Sequence, residues 1–190
     1  MSPARNGGVK RHLAILPTLV LAVAPLVGAT LERLTLDDMI AKSTLVVRGR
    51  VGDSWAAVTN SVIYTHYKIQ VSESLKGAAG GSVEVMVPGG TVNGRRQSFA
   101  GSPVLNKGGE FVFFLWTSKT GITWITGLTQ GLFALPGDGS PDPVARRAAS
   151  GELMLDPNTA RPVKDLPVSM KLSDLRQQVA SVVAAQGGGQ

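Results

Sequence analysis

Six consecutive apolar residues, Phe111-Val112-Phe113-Phe114-Leu115-Trp116, leave this chain few ways to fold. Side chains of a strand alternate between two faces, so a strand with no polar position must be covered on both. The run is therefore read as a central strand, and the rest of the chain has to supply an apolar layer on each side of it. Several other segments carry a period of two. Leu45, Val47, Gly49 and Val51 alternate with Val46, Arg48 and Arg50. From about Val62 to Leu75, Ile63, Thr65, Tyr67, Ile69 and Val71 alternate with Tyr64, His66, Lys68, Gln70 and Ser72, until Lys76-Gly77 ends the strand. Val83, Val85 and Val87 repeat the pattern before Pro88-Gly89-Gly90 interrupts it, and Ile122 to Leu128 and Leu132 to Leu135 follow the central run.

Helical signals lie at the two ends of this β-rich stretch. Thr35-Leu36-Asp37-Asp38 has the layout of a capping box, and Leu36, Met39 and Ile40 form one apolar stripe, which predicts a helix from about Leu36 to Lys42. Near the C-terminus, Ser173 is the expected cap of a helix whose Leu172, Leu175, Val179 and Val182 share a side. Gly137 to Ser150 has loop composition, and Glu152 to Leu155 with Ala160 to Val163 flank a turn at Asp156-Pro157-Asn158. Six short strands between two helices predict a mainly β domain, a small antiparallel barrel or sandwich, rather than alternating βαβ units. Residues 30–136 are expected to form the barrel, and residues 137–190 a C-terminal extension of loop, small hairpin and helix.

Residues 1–29 read as a secretory signal peptide: Arg5, Lys10 and Arg11 precede the apolar run Leu13 to Val27, which ends at the small-residue site Val27-Gly28-Ala29. That run is about 15 residues and contains Pro17 and Pro25, short of the roughly 20 residues that span a bilayer. A secreted or periplasmic product, with no membrane span after cleavage, is expected. Those three residues belong to the chain's 19 Lys and Arg, so 16 basic residues remain against 13 acidic ones and the net charge drops from +6 to +3. The case for a nucleic-acid partner weakens accordingly. With no Cys in the chain, disulfide scaffolding, thiolate metal sites and cysteine nucleophiles are excluded; an exported chain of this kind suits a bacterial envelope.

Candidate functional residues are few. Beyond residue 29 there is a single histidine, His66, on the polar face of the second strand beside Tyr64 and Lys68. A general base needs a nucleophile and an orienting carboxylate; Ser72, Ser74 and Glu73 are its sequence neighbours but form no triad signature. No metal site and no cofactor are expected, since one imidazole does not make a ligand set. Asp138-Gly139-Ser140-Pro141-Asp142 is read as a turn rather than a calcium loop, because a closing bidentate Glu is missing. Gly89-Gly90-Thr91-Val92-Asn93-Gly94-Arg95-Arg96-Gln97 is the most suggestive polar segment. It is expected to be a hairpin turned by Asn93-Gly94 that carries Arg95 and Arg96 at a barrel rim, where binding modules place specificity. Trp55, expected in a loop after the first strand, is the other candidate contact, as a ring that anchors a partner or lids the barrel end.

Taken in order, Leu45-Val46-Val47-Arg48-Gly49-Arg50-Val51, Tyr64-Thr65-His66-Tyr67-Lys68-Ile69-Gln70-Val71, Leu75-Lys76-Gly77 and Gly108-Gly109-Glu110-Phe111-Val112-Phe113-Phe114-Leu115 resemble the netrin-like fold of tissue inhibitors of metalloproteinases. The resemblance covers about residues 44 to 135 and implies an OB-like five-stranded barrel. Those inhibitors chelate a protease's zinc through an N-terminal Cys and are stapled by disulfides, whereas here residue 30 is Thr and Cys is absent. The fold is expected to carry over without that mechanism. The leading functional expectation is a secreted, non-enzymatic module that binds a secreted or envelope protein, with a protease among the candidate partners, through its rim loops. The alternative is polyanion or nucleic-acid binding through the face bearing Arg48, Arg50, Tyr64, His66 and Lys68; a hydrolase comes third.

Overall fold

A computed structural model describes residues 30–188, and the segment read as a signal peptide lies outside the described residues. In chain order the elements are β1 (Thr30–Glu32), α1 (Leu36–Lys42), β2 (Leu45–Thr59), β3 (Val62–Lys76), β4 (Ser82–Pro88), β5 (Gly90–Val92), β6 (Arg95–Gln97), β7 (Glu110–Thr117) and β8 (Thr123–Ile125). A 3-10 turn (Leu128–Gly131) then leads to β9 (Leu132–Leu135), β10 (Val144–Arg147), β11 (Leu153–Leu155), β12 (Pro162–Val163), β13 (Val168–Lys171) and α2 (Leu172–Gly187). Eight strands form one sheet in the order β13-β10-β9-β7-β2-β3-β4-β8, and β8 also pairs with β7. That second pairing curls β2, β3, β4, β8 and β7 into an OB-like ring in which β4 and β8 run parallel and the other neighbours antiparallel. The β4–β8 seam is thin, a single residue pair between Met86 and Trp124, so the barrel is partly open.

The apolar run needs two cores, and both are present. From β7, Phe113 and Leu115 point into the barrel with Val47, Val51, Tyr67, Ile69, Val85, Val87 and Ile125. Val112 and Phe114 point the other way, into a second core with Met39 and Ile40 of α1 and Leu172, Leu175 and Val179 of α2. Phe114 and Phe133 pack there with ring centroids 5.5 Å apart. Each such side chain contributes roughly 1.5–3 kcal/mol by leaving water. Gly49 is where β2 lies tightest on β3: a Cβ there would stand 2.7 Å from Ile69 Cγ2 and 2.8 Å from the Gln70 carbonyl oxygen. The register shifts beside it, so glycine permits the bend that lets β2 serve both β3 and β7.

Helix α1 forms where its capping box predicts. The Thr35 hydroxyl accepts the Asp38 N–H at 3.1 Å, and the Asp38 carboxylate accepts the Thr35 hydroxyl at 2.6 Å and the Thr35 N–H at 3.1 Å, bonds that hold its pKa below the ordinary value. Lys76 closes the other end, its Nζ donating to the Ile40 carbonyl at 2.7 Å; burial alone pushes its pKa down. The Lys-Gly that ends β3 is thus a helix-to-strand clasp.

Several expectations need correction. The first long strand continues eight residues beyond Val51: the register slips between Val51 and Ser54 and then resumes to Thr59, so Trp55 lies in β2 and not in a loop. The segment expected as loop, 137–150, contains β10, which pairs with β13 and with β9. Ser173 does not cap α2; the cap position is Lys171, and Asp142 from the preceding turn accepts the Ser173 N–H and hydroxyl, both at 2.8 Å. Strands β1 and β13 had no periodic signal, being too short to show one. Trp116, the last residue of the apolar run, is 46% exposed, because neither core reaches that end of β7.

Candidate binding surfaces

The polar Gly-rich segment forms the expected hairpin. Asn93 and Gly94 both have positive φ, 49° and 75°, so the side chain-poor pair makes the two-residue turn that joins β5 to β6. The hairpin lies against the inward face of the β2–β3 ribbon: Gly90 has no room for a Cβ, which would meet Thr65 Oγ1 at 2.6 Å. Gln97 ties it down, accepting the Ile63 N–H at 2.6 Å and donating to the Ser61 carbonyl at 3.1 Å. Arg95 and Arg96 are both exposed, but they part company. Arg96 lines a cleft of about 240 Å³ at the barrel mouth, floored by Thr65, Tyr67 and Val87 and walled by residues 98–104; Asn93 and Arg95 line a separate one of about 260 Å³ with Val58 and Ile63. Phe99 and Val104 stand on the first cleft's wall, Val104 82% exposed. Segment 98–104 has no regular structure and hence no periodicity by which the sequence could have marked it.

Trp55, Tyr64 and His66 come together on the opposite, outer face of the same ribbon. Trp55 and His66 are cross-strand partners, with rings 5.2 Å apart and within 9° of parallel, and His66 Nδ1 lies 2.8 Å from Glu84 Oε1. Continuing across the strands, His66 is opposite Met86 on β4, Met86 is opposite Trp124 on β8, and Trp124 is opposite Trp116 on β7. Residues directly opposite share a face. All 3 tryptophans therefore belong to one row on the outside of the barrel. Tyr64 meets Trp124 edge-on at 5.5 Å, and Met86, opposite both His66 and Trp124, is only 7% exposed. Trp116 and Trp124 were missed in the sequence, although they stand symmetrically about the connection Ser118–Ile122 and their pairing follows from that hairpin.

The basic face is largely neutralised. Arg48 and Arg50 both bind Glu110, at 2.6 and 2.8 Å; Lys107 meets Asp53 at 2.6 Å, which lowers the Asp53 pKa, and Arg176 holds Glu73. Ser72 and Glu73, which formed no triad signature with His66 in the sequence, are engaged elsewhere: Ser72 donates to the Arg48 carbonyl at 3.2 Å, and Glu73 accepts from Arg176 Nε at 2.7 Å. His66 thus has a carboxylate and a stacked indole beside it, an arrangement that orients the imidazole without supplying a nucleophile. Asp138 and Asp142 are spent on turn and cap contacts: Asp138 accepts the Ser140 N–H. Among the described residues no group of three or more His, Asp or Glu converges as a metal site would require, and no helix is long and apolar enough to cross a membrane. The backbone at Thr30–Glu32 is committed to parallel pairing with Leu153–Leu155. No protein-family model matches this chain, and no curated protein matches it.

Proposed function

We propose that this chain is a non-catalytic binding module that engages an extended segment of another exported protein at the mouth of its OB-like barrel. The observation that carries this reading is the mouth cleft itself. It combines a rigid polar wall, the Gln97-clamped β5–β6 hairpin with Arg96, and an apolar wall bearing exposed Phe99 and Val104. An apolar lip next to one cation suits a peptide that inserts a hydrophobic side chain and offers a carboxylate or carbonyl to the guanidinium. A protease is one member of this partner class. A netrin-like ancestry is compatible with the reading, but the zinc-chelating N-terminus of those inhibitors has no counterpart in a Thr30 paired into a sheet.

The test uses the chain with a photo-cross-linking residue in place of Phe99, added to the secreted fraction of its own source. Cross-links to one protein, lost in Arg96→Ala and Val104→Asp, support the reading. Cross-links unaffected by both substitutions, or none at all, overturn it.

A further inference from the structure

The outer aromatic row is a second surface, on the far side of the β2–β3 ribbon from the mouth cleft. We propose that it binds an uncharged glycan chain lying across the strands from Trp55 to Trp124. Large rings are normally driven inward, and single exposed ones mean little. Here the register aligns them: Trp55, His66, Met86 and Trp124 are successive cross-strand partners, with Tyr64 edge-on to Trp124. Three strand steps at ~4.8 Å put the ends of this platform roughly 14 Å apart, room for a few linked pyranose rings.

The rings are held before any ligand arrives. Trp55 has one face stacked on His66, which Glu84 orients, and is still 47% exposed. Trp124 is braced edge-on by Tyr64. Holding the contact groups in place beforehand reduces the ordering cost of binding.

Charge selects the ligand class. Lys68 stands opposite Glu84 in the register, Asp53 is paired with Lys107, and the two arginines further along β2 share Glu110. Four cations against three carboxylates leave a single net positive charge, that of two arginines sharing Glu110, which is a weak field for a polyanion. A pyranose ring presents an apolar C–H face to an aromatic surface and hydroxyls around its edge. Exposed Glu84, Lys68 and Gln70 border the row with acceptors and donors for those hydroxyls.

The full chain can be titrated with cello-, chito- and malto-hexaose while following the three indole N–H signals by NMR. The expected result is that one of these glycans shifts the Trp55 and Trp124 signals saturably, with an affinity nearly unchanged between about 50 and 200 mM salt. Trp55→Ala, at a half-exposed position that the fold tolerates, should weaken binding at least roughly tenfold, and Leu153→Ser, on an exposed residue of β11, should not. Arg96→Ala should also leave glycan binding intact, so failure of the mouth-cleft reading and failure of this one are separable. The proposal is overturned if none of the three glycans moves either signal, if Trp55→Ala binds as well as the parent, or if the row answers only to an oligo-dT strand with steep salt dependence.

Discussion

The outside of the barrel has two halves, one roofed by helices and one bare. Along the start of β2 and β7, helices α1 and α2 cover it, and the residues facing outward there are Val46, Val112 and Phe114, all sealed. Along the Tyr64–His66 stretch of β3, and along β4 and β8, no described element covers it, and the outward residues are Tyr64, His66, Met86 and Trp124, with Trp55 and Trp116 at the row's ends. Aliphatic side chains dominate the covered half, whereas amphipathic rings with a polar edge dominate the bare one. The difference teaches that the covered half stabilises the fold while the bare half can be changed with little structural loss.

Substitutions can break this contrast in order of size. Phe114→Ala opens a cavity between sheet and helices and should cost about 3–5 kcal/mol in urea unfolding, the largest effect expected here. Asp165→Ala should approach it, losing about 3–5 kcal/mol, because buried Arg147 would lose both of its carboxylate bonds at 2.7 and 3.0 Å and remain charged. Burial opposes ionisation of Asp165, but the Arg147 and Ser150 hydrogen bonds outweigh it and the pKa is lowered; Glu73 is lowered by Arg176. A carboxylate with a depressed folded-state pKa stabilises above its unfolded value of about 4 and loses that contribution as pH falls further. Urea midpoints should therefore be flat from about pH 7 to 5 and fall below about pH 4, less steeply in Asp165→Asn. Thr35→Ala, which removes the α1 capping box, should cost about 1 kcal/mol by the same measurement. At the small end, Trp55→Ala on the bare half should cost no more than about 1.5 kcal/mol, the worth of an aromatic pair. A loss at Trp55 as large as that at Phe114 would erase the contrast between the halves.

The sequence made the regular parts legible. The all-apolar run of β7, the alternation of β3 and β4, the α1 box and the Asn93-Gly94 turn each depend on contacts within a few residues or on a simple period, and each appears where expected. Where a strand depends on a distant partner, the sequence is silent. Trp55 was expected in a loop after the first strand, yet the chain slips register between Val51 and Ser54 and resumes pairing because β3 offers six more residues of edge, about 20 Å at ~3.3 Å per residue. Thr30–Glu32 is a strand only because Leu153–Leu155 lies beside it, and Val144–Arg147 because β9 and β13 do.

The candidate surfaces divide in the same way. Trp55, Tyr64, His66, Asn93, Arg95 and Arg96 were all identifiable as residues, and alternation put Tyr64 and His66 on one face, but that Trp55 joins them and that Arg95 and Arg96 part was not legible. Local alternation alone determined that this chain is mainly β, with a two-sided central strand, because side-chain direction in a strand is set by the backbone itself. Only tertiary pairing decided that Trp55 stacks on His66 while Arg96 turns to the barrel mouth, because cross-strand register depends on a bulge and a hairpin docking whose energies arise between segments distant in the chain.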